Sequence, residues 1–248
     1  SQKIDSFIEG LKDCSDTPVF KECKDALKKY FPDYTETVEN ISPQVCSSVT
    51  LSTLHGCPPD EIERIATYLL KEKKLNTFVK CNPTLLGYET AREILDSMGY
   101  DYIAFDDHHF NEDLQYSDAV SMFKRLQKLA SEYNKEFGVK LSNTFPVDVK
   151  AGELPSEEMY MSGKSLFPLT IEMANRLSKE FDGKLRMSFS GGADFFNIDK
   201  LYSCGIWPVT VATTILKPGG YMRLTQMAEK LSAMQYDDFI CTDSEIIS

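Results

Sequence analysis

Basic residues are in short supply: 27 lysines and arginines stand against 38 aspartates and glutamates, for a net charge of -11. That balance disfavours nucleic acid and anionic lipid as partners, because both demand a basic patch. No apolar run approaches the roughly 18 residues of a membrane-spanning helix, so no membrane role is expected. The amino-terminal SQKIDSFIEGLKDCSD is amphipathic and charged, without the apolar centre of a secretory signal. Cysteine is present at seven positions (14, 23, 46, 57, 81, 204 and 241), but the number is odd and no CxxC pair occurs. This argues against a disulfide framework, a structural zinc and a cysteine-ligated iron–sulfur cluster within the chain. Reduced thiols and a cytoplasmic location are expected. Histidine is scarce, with only His55, His108 and His109, and no GxSxG elbow accompanies them. Ser-His-Asp hydrolysis therefore has no support.

A strand is missing too: none is readable before about residue 46. Residues 3–13 and 20–31 carry helical periodicity, and 33–45 reads as a polar connection. From Val45 a regular alternation begins. Strand 46–52 precedes a helix over 60–73, strand 77–82 a helix over 88–98, and strand 102–106 a long helix over 113–136. Strand 139–142 is followed by an aperiodic stretch, 145–164, whose length points to a ligand cover. A helix near 166–181 leads to an apolar strand from Arg186, a short helix, a strand ending in Ala212-Thr213-Thr214, and a helix over 220–233. The acidic tail reads as loosely held. Strands alternating with helices imply a parallel α/β sheet. Six strands are two short of a closed (β/α)8 barrel, which takes about 250 residues. The expected organisation is a helical segment over 1–45, a barrel-like domain over 46–233 and a tail over 234–248. Open sheet edges favour self-association.

Four features carry chemistry. Ser190-Gly191-Gly192 and Ala212-Thr213-Thr214 each end a strand just before a helix. Backbone amides and a helix start make such turns phosphate sockets, and in a barrel the loops after strands 7 and 8 hold phosphate. Lys80 interrupts an apolar strand, Phe78-Val79-Lys80-Cys81-Asn82, where a lysine is costly unless paired or aimed at a ligand. Cys57 follows His55-Gly56 on a turn that opens a helix, a position that lowers a thiol's pKa and suits acid/base or redox work. Asn143-Thr144 ends a strand with two side chains able to bond a heterocycle or a phosphate. Asp106-Asp107-His108-His109 is the densest group of metal-ligand types, yet nothing elsewhere completes a standard spacing and no metal is expected.

Several long motifs resemble one family: VTLSTLHGCPPDEIERI, NTFVKCNPTLLGYETAREIL, VKLSNTFP, GELPSEEMYMSGKSLFPLTI, SFSGGADFF and TTILKPGGYMRL. Over about residues 45–232 the chain is similar to the selenate reductase flavin/iron–sulfur subunit group, related to dihydropyrimidine dehydrogenase and to the small chain of glutamate synthase. The resemblance implies a dihydroorotate dehydrogenase-like (β/α)8 barrel carrying FMN, here as a piece of a longer protein. Lys80 matches the lysine at the flavin N1/C2 edge. Asn143 and Thr144 resemble the pair that bonds ring and substrate. Ser162, Gly163, Gly191, Gly192, Thr213 and Thr214 resemble the groups around ribityl and phosphate. Cys57 resembles the general acid of dihydropyrimidine dehydrogenase. Thr50, where the family usually carries asparagine, joins Asn82 and Asn143 as an expected substrate contact.

The implied activity is hydride transfer between FMN and a small unsaturated or pyrimidine-like substrate. Iron–sulfur clusters, FAD and NADPH belong to parts outside this chain, whose redox domains or subunits are the expected partners. A scaffold that has lost its flavin and a lyase using Lys80 as a Schiff base are the competing readings.

Overall fold

Amphipathic spacing at the amino terminus gives two helices, α1 (Gln2–Lys12) and α2 (Pro18–Tyr30), in the computed structural model, which describes residues 2–235 and 239–247. Thr17 caps α2, its hydroxyl accepting from the Phe20 amide at 3.3 Å, and Pro18 fits the first helical position. The expected polar connection holds one more short helix, α3 (Thr35–Glu39). Its Glu39 draws in Lys24 and Lys28, and its Val38 is buried. These elements form a unit of their own that ends at Val49; a second unit begins at Thr50.

The second unit contains the sheet apart from Ser48 and Val49, the first two residues of its first strand. Strands β1 (Ser48–Leu51), β2 (Asn76–Cys81), β3 (Phe137–Leu141) and β6 (Arg186–Phe189) lie in the order β1-β2-β3-β6. The β2–β3 and β3–β6 pairings are parallel. Parallel neighbours need long crossovers, and helices supply them. Helix α4 (Pro59–Lys71) starts on proline with Asp60 and Glu61 in its first turn, and buries Ile62, Ala66 and Leu70 at fourfold spacing. Helices α5 (Tyr88–Ser97), α6 (His108–Glu112) and α7 (Tyr116–Glu132) join β2 to β3; α8 (Phe167–Glu180) leads into β6. Residues spaced three or four apart along α7 and α8, among them Phe123, Leu126, Met173 and Leu177, pack the helix side of the sheet.

Past β6 a single parallel bridge, Phe189 to Val209, marks the next strand position, followed by a 3₁₀ turn at Thr213–Leu216. Here α9 is Ile198–Ser203, and α10 spans Met222–Ser232. Among the described residues the sheet does not close, so the architecture is an incomplete barrel of the α/β class.

Four expectations need correction. The segment 102–106 is not a strand, because the Arg92 guanidinium takes the carbonyls of Tyr100 (3.0 Å) and Ile103 (2.6 Å) and stacks 4.5 Å from the Phe105 ring. The aperiodic stretch 145–164 contains an antiparallel hairpin, β4 (Phe145–Asp148) with β5 (Glu158–Met161). It is pinned by the Asp148 amide on the Ala104 carbonyl at 2.8 Å. The pattern was hidden because β4 is buried on both faces at Phe145, Pro146 and Val147. Thr213 and Thr214 open a 3₁₀ turn instead of ending a strand. Lastly, the tail beyond residue 239 is docked: the Thr242 amide donates to the Gly183 carbonyl at 2.7 Å and Ser178 Oγ to the Thr242 carbonyl at 2.9 Å. It ends in α11 (Ser244–Ile247).

The strand faces alternate strictly. Val79, Val139 and Met187 are in register on one face, while Phe78, Gly138 and Arg186 form a layer on the other. Gly138 makes that layer fit: a Cβ there would stand 2.6 Å from both Phe78 Cε1 and the Arg186 carbonyl oxygen. Gly138→Ala should therefore cost about 1–3 kcal/mol by overpacking. A urea midpoint lowered at constant slope is the expected result; an unchanged midpoint would mean the layer has slack.

Candidate active site

The carboxyl ends of β2, β3 and β6 open into one cavity of about 500 Å³. Lys80 comes from β2, Asn143 and Thr144 follow β3, and Ser162 and Gly163 follow β5. Gly192 follows β6, and Thr213 and Thr214 come from the 3₁₀ turn. Eight of the sequence-predicted residues are thus gathered in one place. Gly191 is not among them. Its Cα packs on α8, where a Cβ would meet Thr170 Oγ1 at 2.1 Å, so it sets helix–strand spacing. Thr50 lies exposed on β1 and lines no cavity among the described residues.

At one end of the cavity three loops meet. A Cβ on Gly192, whose φ is +88°, would sit 2.3 Å from the Gly163 carbonyl oxygen. The amides of Gly192, Ala193, Thr213 and Thr214 donate to no protein acceptor among the described residues. Lys164, Lys217 and Arg223 surround them. Asp194, the one carboxylate of the lining, is held by Lys164 at 2.5 Å. Arg223 gives Nε and Nη2 to the Pro218 carbonyl (3.1 and 2.8 Å), which fixes its fork beside the turn. Free amides plus three cations form an anion cradle. None of these cations is singled out by sequence, although Lys164 directly follows Ser162-Gly163 and the other two flank Pro218-Gly219-Gly220.

On the strand floor, Lys80 and Lys140 are register partners, and Ser188 completes the row. Burial, and then the charge of Lys80, hold the Lys140 pKa below its ordinary value. The available sequence signal was a repeated Val-Lys two or three residues before an asparagine, in VKCN and VKLSN.

Beside Lys80 lies a smaller cavity lined also by Thr53, Cys57, Asn82 and Asp113. Asp113, with a side chain only 2 % exposed, gathers four donors: His55 Nδ1 (2.7 Å), Thr84 Oγ1 (2.6 Å), Asn82 Nδ2 (3.0 Å) and the Gly56 amide (2.9 Å). Asn82 then accepts from Asn143 Nδ2 at 3.1 Å. One buried carboxylate thereby fixes the cysteine turn and the amide that faces the main cavity. In the sequence Asp113 stands only at the start of the expected 113–136 helix, and nothing around it marks it as a hub. The Cys57 thiol differs from expectation as well. Burial pushes its pKa up, and Glu61 and Asp60 at the start of α4 add to this against a hydrogen bond with Thr53. With burial leading and both first-turn acids adding to it, the thiol keeps its proton at neutral pH.

The remaining histidines go separate ways. His109 Nε2 meets Glu158 of β5 at 2.8 Å and His108 meets Glu112 at 3.5 Å, while Asp106 and Asp107 join neither pair. No group of three or more metal-ligand side chains converges among the described residues.

The hydrogen bond to Asp113, against burial, raises the His55 pKa above its ordinary 6.5. Burial works to raise Asp113, yet the bonds from His55, Thr84 and Gly56 outweigh it and bring the carboxyl below 3.8. The His55 contribution is full below pH 6.5 and lost as pH rises through its raised pKa; that of Asp113 is full above pH 3.8 and lost as pH falls through its lowered one. Asp113→Asn should cost about 1.5–3 kcal/mol in the mildly acidic window between them. Melting temperatures against pH should show the wild-type advantage narrowing at alkaline pH. A pH-independent gap would uncouple His55 from Asp113.

The comparisons with known proteins fit this geometry. Residues 1–248 match the family model described as "Oxidoreductase YgfK, N-terminal TIM-barrel domain". A protein of Escherichia coli K12 and another of Escherichia coli O157:H7, both named "Putative oxidoreductase YgfK", are each 46% identical over 243 residues. The match covers 92% of this chain and 24% of theirs, so the chain spans about a quarter of these curated relatives. No helix among the described residues is long and apolar enough to cross a membrane. The chain belongs to the family of oxidoreductase amino-terminal TIM-barrel domains that this model defines.

Proposed function

We propose that this domain binds FMN in the cation-lined cavity and acts as the hydride-transfer unit of a larger reductase, working on a small unsaturated or pyrimidine-like substrate. The observation that carries this reading is the cavity's two-ended charge. Cations and free amides cluster at the Gly192–Thr213 end, and lysines stand on the strand floor, in a chain whose net charge is -11. A ligand with a phosphate at one end and an electron-accepting ring at the other fits both, and the absent Cβ at Gly192 lets the Gly163 loop pack against it, which brings the two loops of the phosphate end together.

When bound, the flavin supplies the centre that takes up or gives hydride. The chain's own part is to hold and orient. Gly192, Ala193, Thr213 and Thr214 offer amides to the phosphate, with Lys164, Lys217 and Arg223 neutralising it. Lys80 places positive charge where the ring's pyrimidine edge gains negative charge. Asn143, fixed through Asn82 to Asp113, presents its carbonyl oxygen to the cavity. Cys57 keeps a proton on sulfur beside Lys80 and Asn82, as a general acid for substrate carbon requires. The iron–sulfur, FAD and NADPH domains of a selenate-reductase-like or glutamate-synthase-like protein would lie in the rest of the longer relatives and serve as electron partners.

Fluorescence titration tests the phosphate end. Riboflavin, lacking the phosphate, should bind at least about tenfold more weakly than FMN; equal affinities would move the phosphate elsewhere. Lys80→Ala should lower flavin affinity or reduction rate while the fold persists. Cys57→Ala should abolish substrate turnover with flavin still bound, and undiminished turnover would remove the thiol from the chemistry.

A further inference from the structure

We infer that Lys140 is a second cofactor-facing cation, and that with Lys80 it makes the cavity floor select reduced, anionic flavin over oxidised, neutral flavin. The inference rests on the flavin reading but concerns a residue, Lys140, to which that reading gives no role.

The register forces the pair together. Lys80 and Lys140 are Cα partners on parallel strands, so both side chains leave the same face, about 4.8 Å apart at the backbone. Like charges directly opposite on a sheet destabilise it. A lysine that merely decorates a barrel interior is expected to have a carboxylate partner. Neither lysine has one within ion-pair distance among the described residues. Lys140 Nζ reaches only the neutral hydroxyl of Thr210, at 3.3 Å. The cavity's single acid, Asp194, is already taken by Lys164. In the layer beneath the pair, the Phe78 ring lies against Gly138 and offers no compensating acceptor, and Ser188, the third residue of the row, brings no charge. Both ammonium groups line the cavity. The repulsion is thus left for a ligand to relieve. The phosphate end has its own three cations, so the floor pair faces a different part of the ligand. A ring that becomes anionic on gaining two electrons and a proton suits it; a neutral ring gains little from the second lysine.

Lys140→Met keeps the apolar stem and removes the charge. In the 248-residue chain loaded with FMN, dye-equilibration redox titration should show the preference for reduced over oxidised flavin falling at least tenfold, a drop of about 30 mV for a two-electron couple. Affinity for oxidised FMN should change little, and Lys140→Arg should restore the wild-type potential. The apo variant should melt at the same or a higher temperature, since a repulsion has been removed. That pair of opposite effects separates a ligand-facing charge from a structural lysine. A lower apo melting temperature for both Lys140→Met and Lys140→Gln overturns the inference. So does an unchanged potential in a variant that retains FMN, which leaves the flavin reading intact. A wild-type chain that binds no FMN removes the flavin reading and this inference together.

Discussion

The register of β3 between β2 and β6 is the constraint on which the rest of the site depends. Strand side chains alternate with period two, so a slip by one residue would turn Lys140 into the helix-packed face and put Val139 or Leu141 at the cavity floor. What prevents the slip is ordinary core packing. Val139 and Leu141 are fully buried beneath the crossover helices, and Gly138 is the only residue that fits between Phe78 and the Arg186 backbone. Apolar burial therefore fixes where two charges go, although those charges repel each other. This division is common at functional sites, where local strain is carried by a framework stable enough to tolerate it.

A similar logic runs through the cysteine turn. Asp113 is buried, and a lone carboxylate there would be costly. Four donors from two segments satisfy it, and in doing so they lock His55, Asn82 and Thr84 into one arrangement. Asn143 inherits its orientation from that lock. The overall acidity of the chain gives this arrangement its contrast. Five cations line the main cavity and only one acid does, the reverse of the ratio over the whole sequence. Such local inversion concentrates anions at the mouth of the sheet.

Helices were legible because their signal is local: Ile62, Ala66 and Leu70 in α4, or the capped start of α2, need no partner to be recognised. The parallel sheet and the gathering of Lys80, Asn143, Thr144, Gly163, Gly192, Thr213 and Thr214 followed from strand ends and from the family resemblance. What stayed hidden depends on distance in sequence. Asp113 acts through residues 29 to 58 positions away, so nothing around it in the chain reveals a hub. Lys140 matters because it stands opposite Lys80, a pairing that exists only in the folded sheet. The segment 102–106 misled because Arg92 intercepts its carbonyls. The hairpin at 145–161 misled because burial of both faces of β4 erased the alternation. Cys57 misled in electrostatics: a helix start would lower its pKa, while burial first, and then Glu61 and Asp60 at that same start, raise it.

The most direct test is the visible absorbance spectrum of the purified chain after addition of FMN and desalting. Retained flavin bands near one equivalent, shifted from those of free FMN, are the predicted result and would place the cofactor in the cavity that these strands and loops build. A folded chain that emerges colourless would contradict the account, and would leave the domain as a scaffold whose cations serve some other anion.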